Sequence, residues 1–215
     1  MSKYHSQWSQ DRYLEESIFK GHTKGVFVDV GAHDGVTINN TLFFEKERGW
    51  TGINVEPIKS VYDKLTDNRP DCINLNCAIS AEEGNLNFIC NEGYTEMLSG
   101  LESHYDSRHH MRNENEIKQM GGVKKVIQVE TKRLETVFDD NNINHVNYLS
   151  IDVEGAEYSV IKSINFNKVF IDVIEFENNY EDTSLPIIGY LEAKDYILLK
   201  KEADIFMIHK DSKFR

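Results

Sequence analysis

At 215 residues, 40% hydrophobic and 11% aromatic, the chain can bury one sizeable core, and a single domain spanning 1–215 is expected. It carries 24 Lys and Arg against 36 Asp and Glu, a formal net charge of −12, so its overall field opposes a polyanion and argues against nucleic acid as a partner. Cys72, Cys77 and Cys90 are odd in number and lack C-x-x-C spacing, which disfavours a disulfide framework or a thiolate zinc site and points to a reducing compartment. The amino terminus has no apolar core of the signal-peptide kind and no long apolar run follows, so a soluble, cytoplasmic protein without membrane insertion is expected.

A polar lead-in is followed by Tyr13, Leu14, Ile18 and Phe19 at near-helical spacing, closed by Gly21. This predicts a helix within 1–22 that caps the ligand side of the fold. Residues 26–35 read VFVDVGAHDG, and Val26, Phe27, Val28 and Val30 suit a central parallel strand buried on both faces. Gly31 and Gly35 then let the backbone turn sharply and let a ligand lie against it, with a helical pattern starting near Val36. Strand, glycine turn and helix in this order form the first unit of a doubly wound α/β domain, whose ligands sit at the carboxyl ends of the strands. Ala32, His33 and Asp34 separate the two glycines, so the G-x-G-x-x-G spacing of a dinucleotide cradle is absent. Asp29 and Asp34 would repel a phosphate but suit a cofactor with cationic groups, such as S-adenosylmethionine.

Leu42, Phe43, Phe44 and Glu45 lead to Gly49, a C-cap signal. The second strand, TGINVEP, ends at Glu56, with Pro57 opening the next helix. Glu56 lies 21 residues past Gly35, about where an acidic residue of such folds accepts bonds from a ribose diol. A third strand at 72–76 runs into NCAIS, where Cys77, Ala78 and Ser80 could line a flat adenine slot. Leu86, Phe88 and Cys90 alternate with polar residues, the pattern of a short extra strand. Residues 91–122 show no sustained apolar period and read as a long irregular segment of the kind that serves as a lid or a substrate-binding element. Its His104, His109 and His110 have no carboxylate at ligand spacing and read as solvated or substrate-contacting rather than metal-bound. Residues 123–129 read as extended, and TKRLETVFDD as a short helix capped by Thr131.

In VNYLSIDVEGAEYSVIKSI a strand ends at Ile151 and a helix starts near Gly155, with Asp152, Glu154 and Glu157 at the junction. If this strand is a parallel neighbour of the first, these carboxylates share a sheet edge with the glycine turn and form one site. Glu157 fits a first-turn carboxylate that complements the helix dipole. Asp152 and Glu154 fit a pair whose mutual repulsion tunes one toward proton acceptance. The next strand, VFIDVIEFEN, again ends in carboxylates, Glu175 and Glu177. SLPIIGYLEA reads as a helix with Ser184 as its cap, and YILLKKE with DIFMIHK as a hairpin that places an antiparallel last strand at one edge of the sheet.

Together, VDVGAHDG, the strand ending in Glu56, NCAIS, IDVEGAE and IEFEN resemble the FkbM-type family of S-adenosylmethionine-dependent methyltransferases, IDVEGAE being considerably more distinctive of it than the opening motif. The resemblance implies a Rossmann-like class I methyltransferase fold: an α/β structure with a mostly parallel seven-stranded sheet, an antiparallel last strand and helices on both faces. It further implies methylation of a hydroxyl oxygen on a sugar or glycan acceptor. Asp29, Gly31, Ala32, His33, Asp34 and Gly35 would surround the methionine part of the cofactor, Glu56 the ribose, and Cys77 and Ala78 the adenine. For the chemistry, Asp152 is the first candidate base and Glu154 the second. By analogy with other sugar O-methyltransferases, Asp152 and Glu175 could instead hold a Mg²⁺ that lowers the hydroxyl's pKa. The 91–122 segment would shape the acceptor pocket, with Tyr94, His104, Tyr105 and His109 able to stack on or hydrogen-bond a sugar ring. Two rivals are a non-catalytic binding or assembly module on the same fold and a nicotinamide-dependent oxidoreductase. The intact glycine turn and Glu56 argue against the first, and the absent G-x-G-x-x-G against the second.

Overall fold

The computed structural model describes residues 3–215. Its strands, in chain order, are β1 (Val26–Val30), β2 (Thr51–Val55), β3 (Ile73–Leu75), β4 (Ala78–Ile79), β5 (Gly84–Glu92), β6 (Gly100–Leu101), β7 (Val123–Lys132), β8 (His145–Ile151), β9 (Phe170–Glu177), β10 (Tyr196–Lys201) and β11 (Asp204–His209). The helices are α1 (Gln10–Tyr13), continued by a π-helical stretch Leu14–Phe19, then α2 (Leu42–Arg48), α3 (Lys59–Asn68), α4 (Ser107–Met120), α5 (Leu134–Asp140), α6 (Glu157–Lys162) and α7 (Glu181–Glu192).

Seven strands form the main sheet in the order β10-β11-β9-β8-β1-β2-β3. Strand β1 pairs in parallel with β2 and with β8, β2 with β3, and β8 with β9. Strand β11 runs antiparallel to both β9 and β10. The expected mostly parallel sheet with a reversed last strand is therefore present, the reversed strand lying one place in from the edge. Because side chains alternate along a strand, β1 sends Val28 and Val30 to one face and Phe27 and Asp29 to the other. The first face packs with Leu149, Ile151, Ile174 and Phe176 against apolar residues of α5, α6 and α7. The second is aromatic: Phe27, Tyr148 and Phe206 pack with Phe43, Phe44 and Trp50 and with Leu14, Ile18 and Phe19. Helices thus cover both faces, and burial of these large side chains, about 1.5–3 kcal/mol for each aliphatic or Phe side chain, holds the layers together. Among the described residues no helix is long and apolar enough to cross a membrane.

Several local expectations are corrected. No helix starts near Val36, because side chains take over the backbone there. Asp34 Oδ1 accepts from the amides of Val36 and Thr37, and Asn39 Oδ1 accepts from those of Thr41 and Leu42, so the helix begins only at Leu42. Thr131 belongs to β7, and α5 starts at Leu134. Ser184 lies inside α7, its hydroxyl bonded to Asn178 Oδ1, and Tyr180 is the N-cap residue. The extra strand is long: β5 pairs antiparallel with β7 from Gly84 to Glu92 in a second, four-stranded sheet ordered β4-β7-β5-β6.

The largest correction concerns 91–122, which is ordered rather than irregular. It carries 3₁₀ turns at Gly93–Leu98 and Glu102–His104, the short β6, and the 14-residue α4. The buried side chains of α4 are His109 and Asn113, one turn apart. Its inner face is polar, so no apolar period announces it. Its caps are conventional: Asp106 accepts from the Arg108 amide at 2.6 Å, and Gly121 closes the helix at φ +77°.

Candidate active site

The loops after β1, β2 and β8 meet at one end of the main sheet and enclose an open cleft, in the position where open α/β sheets hold their ligands. The β1 turn and the β8 turn are locked together. The Asp152 amide bonds the Val30 carbonyl at 2.9 Å, and Gly31, at φ +91°, lies so close to Asp152 that a Cβ would meet its carbonyl oxygen at 1.8 Å. The amides of Gly31 and Ala32 both bond Val55 O at 3.0 Å, which ties the same turn to β2.

Asp29, Gly31, Ala32, His33, Glu56, Cys77 and Ala78 all line the cleft, as do Asp152 and Glu154. Asp34 and Gly35 do not. Asp34 forms the turn described above, with Thr37 Oγ1 bonded to its second oxygen at 2.7 Å, and Gly35 is backed by Leu65 and Arg69. Asp29 has a structural duty as well, its Oδ2 accepting from Asn39 Nδ2 at 2.9 Å and Thr41 Oγ1 at 2.8 Å. Both partners are braced by the fully buried Arg69. Glu56 is buried and accepts from the Ile58 amide at 2.7 Å. Burial pushes its carboxyl up to about 7 against the pull of the Ile58 and His33 amides, and Glu96 adds to the rise.

The far wall is acidic. Asp152, Glu154 and Glu177 each bring a carboxylate oxygen within 4.8 Å of the others. Burial, then the charges of Glu154, Asp204, Glu157 and Asp29, raise the Asp152 pKa well above the usual carboxylate range, although its side chain stays open to the cleft. Glu177 is raised in the same way. Glu154 is held in the left-handed region at φ +54°, a strained geometry for a non-glycine residue and one that clusters at functional sites. Its Oε2 lies 2.8 Å from His109 Nε2 and 3.3 Å from Asn179 Nδ2. Glu175 sits apart from this trio, bonded to Tyr148 OH in the sheet interior, so a cation here would find its oxygens on Asp152, Glu154 and Glu177 rather than on Asp152 and Glu175.

Of the four acceptor candidates, His104, Tyr105 and His109 line a second, adjoining cavity, whereas Tyr94 is exposed and lines neither. The amino-terminal helix packs on the aromatic face, and it is Gln7 of the lead-in that reaches the cleft. Glu96, Ser99 and Arg112, which no motif or strand end marks, also line the cleft from the 91–122 segment. Glu177 was legible as a strand-ending carboxylate. Burial works against the Arg112 charge, but its Glu116 bond and the charges of Glu154 and Glu177 outweigh it and raise its pKa.

The parallel sheet with its reversed strand, together with a cleft that joins a glycine turn to acidic strand ends, defines a Rossmann-like fold of the methyltransferase type. The chain matches the family described as the Methyltransferase FkbM domain over residues 29–198 and belongs to that family. Among solved structures it is similar to the methyltransferase FkbM from Methylobacillus flagellatus KT (13% identity, TM-score 0.48, 86% of this chain and 44% of that one). A candidate rRNA methylase from Clostridium thermocellum aligns over 99% of both chains at 8% identity and a TM-score of 0.50. A precorrin-6Y C5,15-methyltransferase from Geobacter metallireducens GS-15 aligns at 11% identity and a TM-score of 0.43, over 94% and 86% of the two chains. The chain thus spans less than half the length of the first of these, and at such identities the second likeness concerns the fold alone. No curated protein matches.

Proposed function

We propose that the protein is an S-adenosylmethionine-dependent O-methyltransferase acting on a hydroxyl of a sugar or glycan. The observation that carries the reading is the convergence in one cleft of the Gly31 turn, Glu56 and Asp152, drawn from three neighbouring strands. The cleft suits the cofactor: Glu56 is a buried acceptor in a wall otherwise lined by Ile58, Cys77 and Ala78, and the carboxylates opposite match a cation. When bound, S-adenosylmethionine supplies an electrophilic methyl on a sulfonium, with a neutral thioether as leaving group.

The chain's own part is to position and to accept a proton. A sugar hydroxyl is a poor nucleophile at neutral pH, so holding it in line and removing its proton are the two tasks left to the protein. Asp152 is the base this geometry favours, since its carboxylate faces the cleft while Glu154 is already engaged by His109 and Asn179. The raised pKa of Asp152 strengthens it as a proton acceptor once ionised. The reading is tested by incubating the protein with methyl-labelled S-adenosylmethionine and a panel of glycosides, then locating the label. A methyl ether supports it; label only on nitrogen or carbon overturns it.

A further inference from the structure

The second cavity lies between the 103–109 stretch and the start of α7. Tyr105, His109, Asn179 and Tyr180 line it together with the carboxylates Asp106, Glu157 and Glu177. Glu177 also lines the main cleft. Its oxygen lies within 4.8 Å of those of Asp152 and Glu154 on the main cleft, which makes this trio the boundary, or neck, between the two spaces. At that neck His109 Nε2 is buried 2.8 Å from Glu154 Oε2, so the imidazole and this carboxylate already face each other as a pair. No Lys or Arg lines the second cavity. Of the arginines on α4, Arg112 lines the main cleft and is bonded to Glu116 at 3.0 Å, while Arg108 is held by Asp106 at 2.7 Å and Asp182 at 2.9 Å and lies 3.9 Å over one face of the Tyr180 ring. The cavity therefore offers aromatic edges, amide and imidazole groups and carboxylates, with no lysine or arginine to compensate a bound anion.

We propose that this cavity seats the ring of the acceptor, with one hydroxyl presented at the Asp152–Glu154–Glu177 neck, and that it selects uncharged or amine-bearing sugars over uronates and nucleoside-diphosphate sugars. The inference rests on the sugar O-methyltransferase reading and adds to it where the acceptor lies and what charge it carries. A glycan end or simple glycoside fits such a site; an activated nucleotide sugar does not.

The test first loads the full chain with S-adenosylhomocysteine by calorimetry. It then measures binding of methyl glucoside, glucosamine, glucuronate and UDP-glucose by saturation-transfer NMR at about pH 8, where the carboxylates are most ionised. The first two probes should bind at least about tenfold more tightly than the last two. Tyr180→Ala should weaken methyl glucoside at least about tenfold, with S-adenosylhomocysteine affinity within about twofold, and Tyr180→Phe should restore it. Glucuronate or UDP-glucose binding as tightly as the glucoside overturns the proposal. So does a loaded protein that binds none of the four, or a Tyr180→Ala variant that binds the glucoside normally. Failure of S-adenosylhomocysteine itself to bind removes the methyltransferase reading, and the proposal with it.

Discussion

A Cβ on Gly31 would stand 1.8 Å from the Asp152 carbonyl oxygen, so the glycine after β1 is dictated first by the neighbouring strand and only then by any ligand. The two turns that build the cleft approach each other backbone to backbone, and the φ of +91° at Gly31 adds a conformation that other residues adopt with strain. Gly31→Ala is expected to cost at least about 2 kcal/mol in urea unfolding, by overpacking and strain combined. An unchanged midpoint would show that the turns can separate freely. Cofactor loss in such a variant reports the collapse of the cleft, which makes Glu56→Ala the cleaner probe of binding.

Asp152→Asn keeps the shape of the cleft but removes the proton acceptor. Turnover should fall by about 10²-fold or more while S-adenosylhomocysteine affinity stays within about threefold. For the parent protein, kcat/KM should rise with pH along a limb that the variant lacks, because the Asp152 pKa lies above the usual carboxylate range. Full turnover in Asp152→Asn would transfer the role of base to Glu154.

Protonation should also govern stability. Burial raises Glu56 to about 7 and Asp204 to about 6, and it raises Glu157, Glu175 and Glu177 as well. The folded protein therefore holds these protons more tightly than the unfolded chain does. The stabilisation is full below the ordinary carboxylate range and is lost as pH rises through the raised values. Asp34 and Glu45, whose pKa values are lowered, act in the opposite sense only as pH falls below the ordinary carboxylate range, and His22 and His104, lowered by burial, oppose the trend near the ordinary histidine value but are outnumbered by the carboxylates. Unliganded protein should melt several degrees higher at about pH 6 than at about pH 8. Asp204→Asn should flatten that slope, and a melting temperature that rises from pH 6 to pH 8 would contradict the assignment.

Chelation tests the carboxylate trio directly. Asn179 already donates to Glu177 at 2.5 Å and to Glu154 at 3.3 Å, so two of the three groups have partners of their own. Turnover should be unchanged after EDTA treatment and dialysis. Loss that is restored by Mg²⁺ would make the trio a cation site and Asp152 a ligand rather than a base.

Much of this was legible wherever a residue's role follows from periodicity or a strand end. The β1 turn, Glu56 and the Asp152–Glu154 junction could be placed because apolar runs locate strands and a parallel sheet gathers their carboxyl ends. What could not be read was set by side chains competing with the backbone or packing polar against polar. Asp34 and Asn39 postpone α2 through hydrogen bonds that no hydrophobic pattern records. Helix α4 escaped because its buried face is His109 and Asn113, and with it went Arg112. Glu175 and Glu177 looked equivalent in sequence, yet Glu175 is claimed by Tyr148 within the sheet while Glu177, two residues on, reaches the cleft.

The most direct test of the central claim is calorimetric titration of the protein with S-adenosylhomocysteine, alongside NAD and with Glu56→Ala as the matched variant. The account predicts micromolar binding of S-adenosylhomocysteine alone, weakened at least about tenfold in the variant by loss of the buried acceptor. No binding of S-adenosylhomocysteine, or binding that ignores Glu56→Ala, would contradict it.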